Sequence, residues 1–226
     1  MSGGGCAPVI GATATRFSIW APEAEQLWLC LFDDADRERR VPMLRDVDGV
    51  WHVELSGVGA GARYGVRADG PYDPAAGLWF DPDKLLLDPY APAVDRAFVY
   101  DPALTARRGE GEDTALLCPK GVVVAPSIAV PVKPPHFTPG GLIYELHVRG
   151  FTMLHPDVPE ALRGTVAALA HPAIIAHLKQ LHVSAVELMP INAWIDERHL
   201  GPIGLTNYWG YNPVSWFAID PRLAPG

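Results

Sequence analysis

Short runs of alternating apolar and polar positions fill the first hundred residues. Arg16-Phe17-Ser18-Ile19-Trp20 alternates, and so do Val50-Trp51-His52-Val53-Glu54-Leu55 and Arg63-Tyr64-Gly65-Val66-Arg67. Successive side chains of a strand point to opposite faces, so each run suits a half-buried strand. Gln26 to Phe32 is more continuously apolar. Gly, Pro or Asp bounds every run. This spacing predicts an all-β, immunoglobulin-like sandwich over residues 12–100, after a loose Gly-rich tail at 1–10. Trp28 and Trp51 are expected as core anchors filling the space between two sheets, with sugar platforms the alternative.

Asp69-Gly70-Pro71-Tyr72-Asp73-Pro74 is turn-forming. In Phe80 to Tyr90 three leucines are set among prolines and aspartates, which reads as a structural plug packing the sandwich against the next domain. Residues 101–139 carry scattered charge and the Pro-rich run Pro131-Val132-Lys133-Pro134-Pro135, which is linker chemistry. Arg107-Arg108 with Glu110, Glu112 and Asp113 reads as a solvated loop.

The pattern changes at Gly140. Leu142 to Val148 is expected as a strand carrying Glu145 and His147, which either line a barrel interior or are satisfied core groups. Pro172 suits a helix start, and Ile174, Ile175, Leu178 and Leu181 form an amphipathic stripe behind it. Val183 to Ile191 is apolar enough for a parallel strand covered on both faces. Strand, helix, strand is a βαβ unit, right-handed by rule. The loop from Asn192 carries Trp194, the charged run Asp196-Glu197-Arg198-His199, and the cluster Asn207-Tyr208-Trp209-Gly210-Tyr211-Asn212-Pro213. Flat rings beside amides suit a sugar, whose C–H face lies on a ring while amides take its hydroxyls. An aromatic loop packed on its own domain is the other reading.

Composition narrows the ligand. A net charge of -8 argues against nucleic acid or an anionic membrane, both of which call for a basic surface. A neutral polymer or small neutral ligand fits, and no cofactor is implied. With 49% hydrophobic residues a sizeable core is available, while 23 prolines and 22 glycines favour a loop- and strand-rich fold over a helical bundle. Cys6, Cys30 and Cys118 are odd in number and far apart, so neither a disulfide framework nor a zinc site is expected, and a cytoplasmic setting is. The first fourteen residues lack a secretory pattern, and Gly121 to Val132 is too short and too broken by proline to span a membrane.

Taken together these blocks resemble the α-amylase superfamily of glycoside hydrolases, and more closely its glycogen debranching enzymes and isoamylases. Gly141 to Thr152 is similar to the family's first barrel strand, Ala185 to Ile191 to its second, and Gly204 to Pro213 to a block typical of debranching members. Gly70-Pro71-Tyr72-Asp73 and Lys84 to Tyr90 resemble the family's carbohydrate-binding-module-like front sandwich. The resemblance covers nearly all of residues 12–225. It implies a multidomain chain: the sandwich, a linker at 101–139, and over 140–226 the first two strands of a (β/α)8 barrel. The implied partner is an α-glucan such as glycogen, limit dextrin or a malto-oligosaccharide, cut at α-1,6 branches by a retaining mechanism. By position in the motif, Tyr211 would lie under the sugar at the cleavage subsite, with Trp209 beside it and Asn207 touching a hydroxyl. Val166 departs from an expected aromatic.

The family's nucleophile, acid and third essential Asp come from later barrel strands, and roughly a third of a barrel is expected here. Arg67-Ala68-Asp69 matches the spacing of the nucleophile motif but reads as a strand end. Glu145, Glu187 and Asp220 are expected to be structural, and Asp196 and Glu197 solvated. The chain alone is therefore expected to be inactive, and its unpaired barrel edge is a route to self-association. A non-catalytic glucan-binding or scaffolding protein, or a sister activity such as branching or trehalose release, are the competing readings.

Overall fold

A computed structural model describes residues 6–125 and 139–224. Its front part contains eleven short strands: β1 (Val9–Ile10), β2 (Thr15–Trp20), β3 (Gln26–Phe32), β4 (Glu38–Pro42), β5 (Leu44–Arg45), β6 (Val50–Leu55), β7 (Arg63–Asp69), β8 (Tyr72–Asp73), β9 (Leu78–Trp79), β10 (Ala93–Val94) and β11 (Gly121–Val122). They form a sheet of order β1-β2-β6-β5, a second of order β10-β11-β7-β3-β4, and a separate hairpin β8-β9. Pairing within the two large sheets is antiparallel throughout.

The main core includes Phe17 of β2, Leu27, Leu29 and Leu31 of β3, Trp51 of β6, and Tyr64 and Val66 of β7. It lies between the two sheets, as the alternating pattern requires. The alternate residues of β3, Cys30 and Phe32, join a second buried cluster with Leu85 and Cys118, against which Trp28 and Leu87 pack. β3 is thus covered on both faces, which is why its sequence is continuously apolar. Trp51 anchors the inter-sheet core, and its indole N–H donates to the Ala21 carbonyl at 2.9 Å. Trp28 does not share that place. The two-residue period sends it to the other face, against the leucine segment.

The segment expected as a linker contributes to this packing. β11 pairs with β7, and Thr114, Cys118, Lys120 and Val123 are buried. Arg108, expected in a solvated loop, donates to Asp69 at 2.8 Å and to the Gly70 carbonyl at 3.0 Å. Residues 131–135 lie outside the described residues. Arg67, wholly buried, donates to Glu38 at 2.8 and 2.7 Å and to Asp113 at 2.7 Å. Arg67-Ala68-Asp69 is therefore the end of β7 and part of a structural ion network.

The rear part holds one parallel pair, β12 (Leu142–Leu146) and β13 (Val183–Leu188). Between them lie a short helix α1 (Val148–Thr152) and the helix α2 (Pro172–Gln180). Pro172 occupies the first turn of α2, and the His171 side chain accepts the Ala173 N–H. Ile174 and Leu178 face the small core there, whereas Ile175 and Leu181 are exposed, so half the expected stripe is used. Both strands stop earlier than the sequence implies. His147 leaves the ladder to cap α1, and Met189-Pro190 ends β13. Glu145 is exposed rather than a satisfied core group, and Val186 is 40% exposed, so β13 is not covered on both faces. Among the described residues there is one β-α-β unit, not a closed barrel.

The parts touch through the leucine segment. Trp216 N–H donates to the Pro89 carbonyl at 2.8 Å, Ser215 Oγ donates to the Ala91 carbonyl at 3.1 Å, and Tyr90 stacks on Phe217 at 5.6 Å.

Candidate functional site

The aromatic loop is built around Trp194, a buried ring just past β13. Its backbone pairs with Pro213 across the loop. Arg222 lies over the ring at 3.9 Å and grips Asp220 with two hydrogen bonds, at 2.8 and 2.9 Å. Asp220 is wholly buried, so its charge is tolerated only because Arg222 neutralises it. It also accepts the Trp194 N–H at 3.2 Å.

Asn207 sits on this pillar, and every polar group of its side chain is occupied. Its Oδ1 accepts the N–H groups of Trp209 at 3.1 Å and Gly210 at 2.8 Å, which is an Asx-type turn. Its Nδ2 donates to Glu197 at 3.0 Å. Its backbone N–H donates to Asp196 at 2.7 Å, and its carbonyl accepts from the Trp194 indole at 3.0 Å. At 9% exposure it shapes the loop; its amide is not offered outward. Asp196 and Glu197, expected to be solvated, are the acceptors that hold it. Gly210 is at φ +78, and a Cβ there would stand 3.2 Å from the Pro190 carbonyl and 3.3 Å from the Trp194 ring. Glycine suits both the left-handed backbone and that close approach.

The turn directs its rings outward. Trp209 is 52% exposed and Tyr211 64%. Tyr208 stacks on His147 at 4.3 Å, and Trp209 meets both edge-on, at 5.5 Å from His147 and 5.4 Å from Tyr208. The His147 tautomer is set by its partners. Nδ1 accepts the Gly150 N–H at 3.0 Å, so Nε2 carries the proton and donates to the Tyr208 carbonyl at 2.9 Å. His147 thus ties the end of β12 to the loop after β13. Sequence reasoning placed it inside a strand; its position next to the last ladder residue was the available signal.

Glu145 and Glu187 are register partners on β12 and β13, both exposed. Matched register puts them on the same face of the sheet, side by side. The large cleft lies elsewhere: about 920 Å³ between the front part and the back of the loop, reaching the loop only at Ile195 and Val214. The exposed rings stand on an open surface.

A strand sandwich passing through a leucine-rich segment to a β-α-β unit, with an aromatic loop beyond it, is a fold that solved pullulanases share. Residues 5–91 match the family model of carbohydrate-binding module 48, the isoamylase N-terminal domain. More particularly, the chain is similar to glycogen debranching enzymes over almost its whole length. It is 44% identical over 215 residues to the glycogen debranching enzyme of Yersinia pseudotuberculosis serotype IB (strain PB1/+), covering 93% of this chain and 32% of that one. It is 45% identical over 213 residues to the glycogen debranching enzyme of Klebsiella pneumoniae (strain 342), covering 92% and 32%. The chain spans about a third of the length of these relatives. Among solved structures it shares the fold of the type I pullulanase of Bacillus subtilis str. 168 complexed with maltose, with a TM-score of 0.69 and 24% identity, over 100% of this chain and 29% of that one. The GBS pullulanase SAP in complex with maltotetraose gives a TM-score of 0.69 at 22% identity, over 98% and 29%.

Proposed function

We propose that this chain is the glucan-recognising N-terminal portion of a glycoside hydrolase that cuts α-1,6 branch linkages in glycogen by a retaining mechanism. The observation that carries it is the outward-facing pair Trp209 and Tyr211, held on a hydrogen-bonded turn, in a chain 44% identical to glycogen debranching enzymes over 93% of its length. The sandwich at 12–100, with 101–125 folded onto it, is the carbohydrate-binding module. Residues 140–226 are the opening of the catalytic barrel, with β12 and β13 as its first two strands. Loops at the C-terminal ends of such strands are where barrels build active sites. His147 directly follows the end of β12, and the aromatic loop belongs to the segment that follows β13.

Tyr211 receives the C–H face of a glucose ring, Trp209 flanks it, and Asn207 acts through them by fixing the turn. The 226 residues do not hydrolyse glucan by themselves. A retaining pair stands about 5 Å apart on opposite sides of the scissile bond, whereas the side-by-side Glu145 and Glu187 share one face. Three free thiols suit a reducing, cytoplasmic setting.

The test is titration of the 226-residue chain with maltotetraose, read by tryptophan fluorescence, beside a reducing-end assay on glycogen and pullulan. Saturable binding that Tyr211→Ala weakens about tenfold, roughly 1.4 kcal/mol, with no reducing ends released, supports the reading. Absence of binding, or turnover above a blank, overturns it.

A further inference from the structure

One peptide unit of the aromatic loop is held at both edges. Its Trp209 N–H donates to Asn207 Oδ1 at 3.1 Å, and its Tyr208 carbonyl accepts the His147 Nε2–H at 2.9 Å. A peptide unit is planar, so anchors on opposite edges fix the plane and with it the directions of Tyr208 and Trp209. Asn207 cannot titrate. His147 can, and it reaches the loop from the end of β12.

The imidazole is seated among fixed neighbours. Tyr208 lies on its face at 4.3 Å with the planes 22° apart, and Trp209 meets it edge-on at 5.5 Å. The fit is close: a Cβ on Gly150 would stand 3.0 Å from the Tyr208 hydroxyl and 3.4 Å from His147 Nδ1. Nδ1 already accepts the Gly150 N–H at 3.0 Å. A second proton on the ring must go to Nδ1, where it would face that N–H donor to donor. The Tyr208 ring attracts a cation, but the opposed donors remain. The charged imidazole relieves them by turning, and turning takes Nε2 off the Tyr208 carbonyl.

The charged groups nearby do not replace the lost bond. Glu145, two positions back on β12, and its register partner Glu187 on β13 are exposed. Arg149 of α1 runs toward Gly164, its Cγ 3.3 Å from where a Cβ on that residue would stand. In the loop, Asp196 and Glu197 are engaged by Asn207. Among the described residues, the hydrogen bonds of the imidazole go to the Gly150 N–H and the Tyr208 carbonyl, and neither is a carboxylate.

We propose that His147 is a positioning residue for sugar binding whose action depends on its proton. Neutral, it locks the Tyr208–Trp209 peptide and so aims the ring platform; charged, it releases that peptide to the single anchor at Asn207. The ligand rests on the proposed function; the clasp does not. Sugar binding therefore weakens as pH falls through the interval in which histidine charges, above the range in which carboxylates titrate.

The experiment titrates the 226-residue chain with maltotetraose between about pH 7.5 and pH 5.5. Binding is expected to weaken at least about threefold over that interval, the effect of one lost hydrogen bond. His147→Asn keeps an acceptor for the Gly150 N–H but is too short for the Tyr208 carbonyl. It is expected to bind less tightly at both pH values and to show no pH step. His147→Gln, equally without a titrating ring, repeats the test if His147→Asn fails to fold. Trp209 emission, taken as the wild-type spectrum less that of Trp209→Phe, reads the clasp without sugar. It is expected to change over the same interval, and to stay constant when the same difference is taken in a His147→Asn background. Binding of equal strength at both pH values, or a pH step in binding or emission that survives in both His147 variants, overturns the inference and leaves the Tyr211 reading standing. A step that the His147 variants abolish, in a chain whose binding Tyr211→Ala does not weaken, supports the clasp and sinks the Tyr211 reading. No binding at either pH sinks both.

Discussion

The Oδ1 atom of Asn207 accepts the Gly210 N–H at 2.8 Å, and this bond sets the direction in which the neighbouring rings of Trp209 and Tyr211 face. It is shared with the Trp209 N–H and backed by Glu197 on the amide side. Replacing Asn207 with Ala strands these donors at a largely buried turn, and each unsatisfied group costs about 1–3 kcal/mol. The expected outcome for Asn207→Ala is a lower melting temperature together with weaker maltotetraose binding. Asn207→Asp keeps the acceptor but sets a carboxylate against Glu197, and it is expected to be at least as damaging near neutral pH. Thermal scans and fluorescence titration check both.

Tyr211→Ala separates binding from folding. The side chain is 64% exposed, so its removal is expected to shift stability by no more than about 0.5 kcal/mol. Binding is expected to fall in the same variant. A large loss of stability would show that Tyr211 packs rather than presents a face.

Gly210→Ala tests the turn from the backbone side. The residue is at φ +78, with the Pro190 carbonyl 3.2 Å from where a Cβ would stand. A left-handed conformation alone costs an alanine about 1–2 kcal/mol. The variant is expected to fold less stably and to bind sugar less well, as read by denaturant midpoint and titration.

Arg67 governs the acid limit of the front part. Burial by itself raises the pKa values of Glu38 and Asp113, but hydrogen bonds and charge from Arg67 outweigh it and hold both carboxyls below their ordinary values. A depressed folded-state pKa stabilises the fold above the unfolded value, and that contribution is lost as pH falls through the folded one. Stability is therefore expected to drop below about pH 4.5, the ordinary Glu value, and to keep falling further into acid. Asp88 opposes this. Burial raises its pKa despite the Tyr64 hydroxyl donated at 2.7 Å, so its own contribution improves as pH falls. Arg67→Ala removes the wholly buried member of this network while Arg40 stays within 2.7 Å of Glu38 and 3.4 Å of Asp113, and it is expected to cost about 1–3 kcal/mol. Urea melts at pH 7 and pH 4 measure both effects, and the acid step should shrink in the variant.

Much of the sandwich was legible because its strands advertise themselves. β2, β6 and β7 alternate, and β3 is apolar throughout because Leu29 and Cys30 face different cores. β4 was not legible. Its run Glu38-Arg39-Arg40 looks like solvated charge until β7 brings Arg67 beside Glu38. The same holds for residues 101–125, where burial of Lys120 depends on the Ala115 and Cys118 carbonyls as acceptors. In the rear part the helix start at Pro172 and both strands were legible, while their ends were not. The departure of His147 from the ladder depends on Tyr208, sixty-one positions away. The rings of the aromatic loop could be named from sequence; the inward role of Asn207 could not, because Glu197 and Trp194 reach it only through the folded loop.

Migration of the 226-residue chain through a native gel cast with glycogen tests the central claim most directly. Retardation is expected, diminished by Tyr211→Ala, with no clearing of the polysaccharide along the lane. Migration identical with and without glycogen would contradict the claim that this chain is built to recognise an α-glucan.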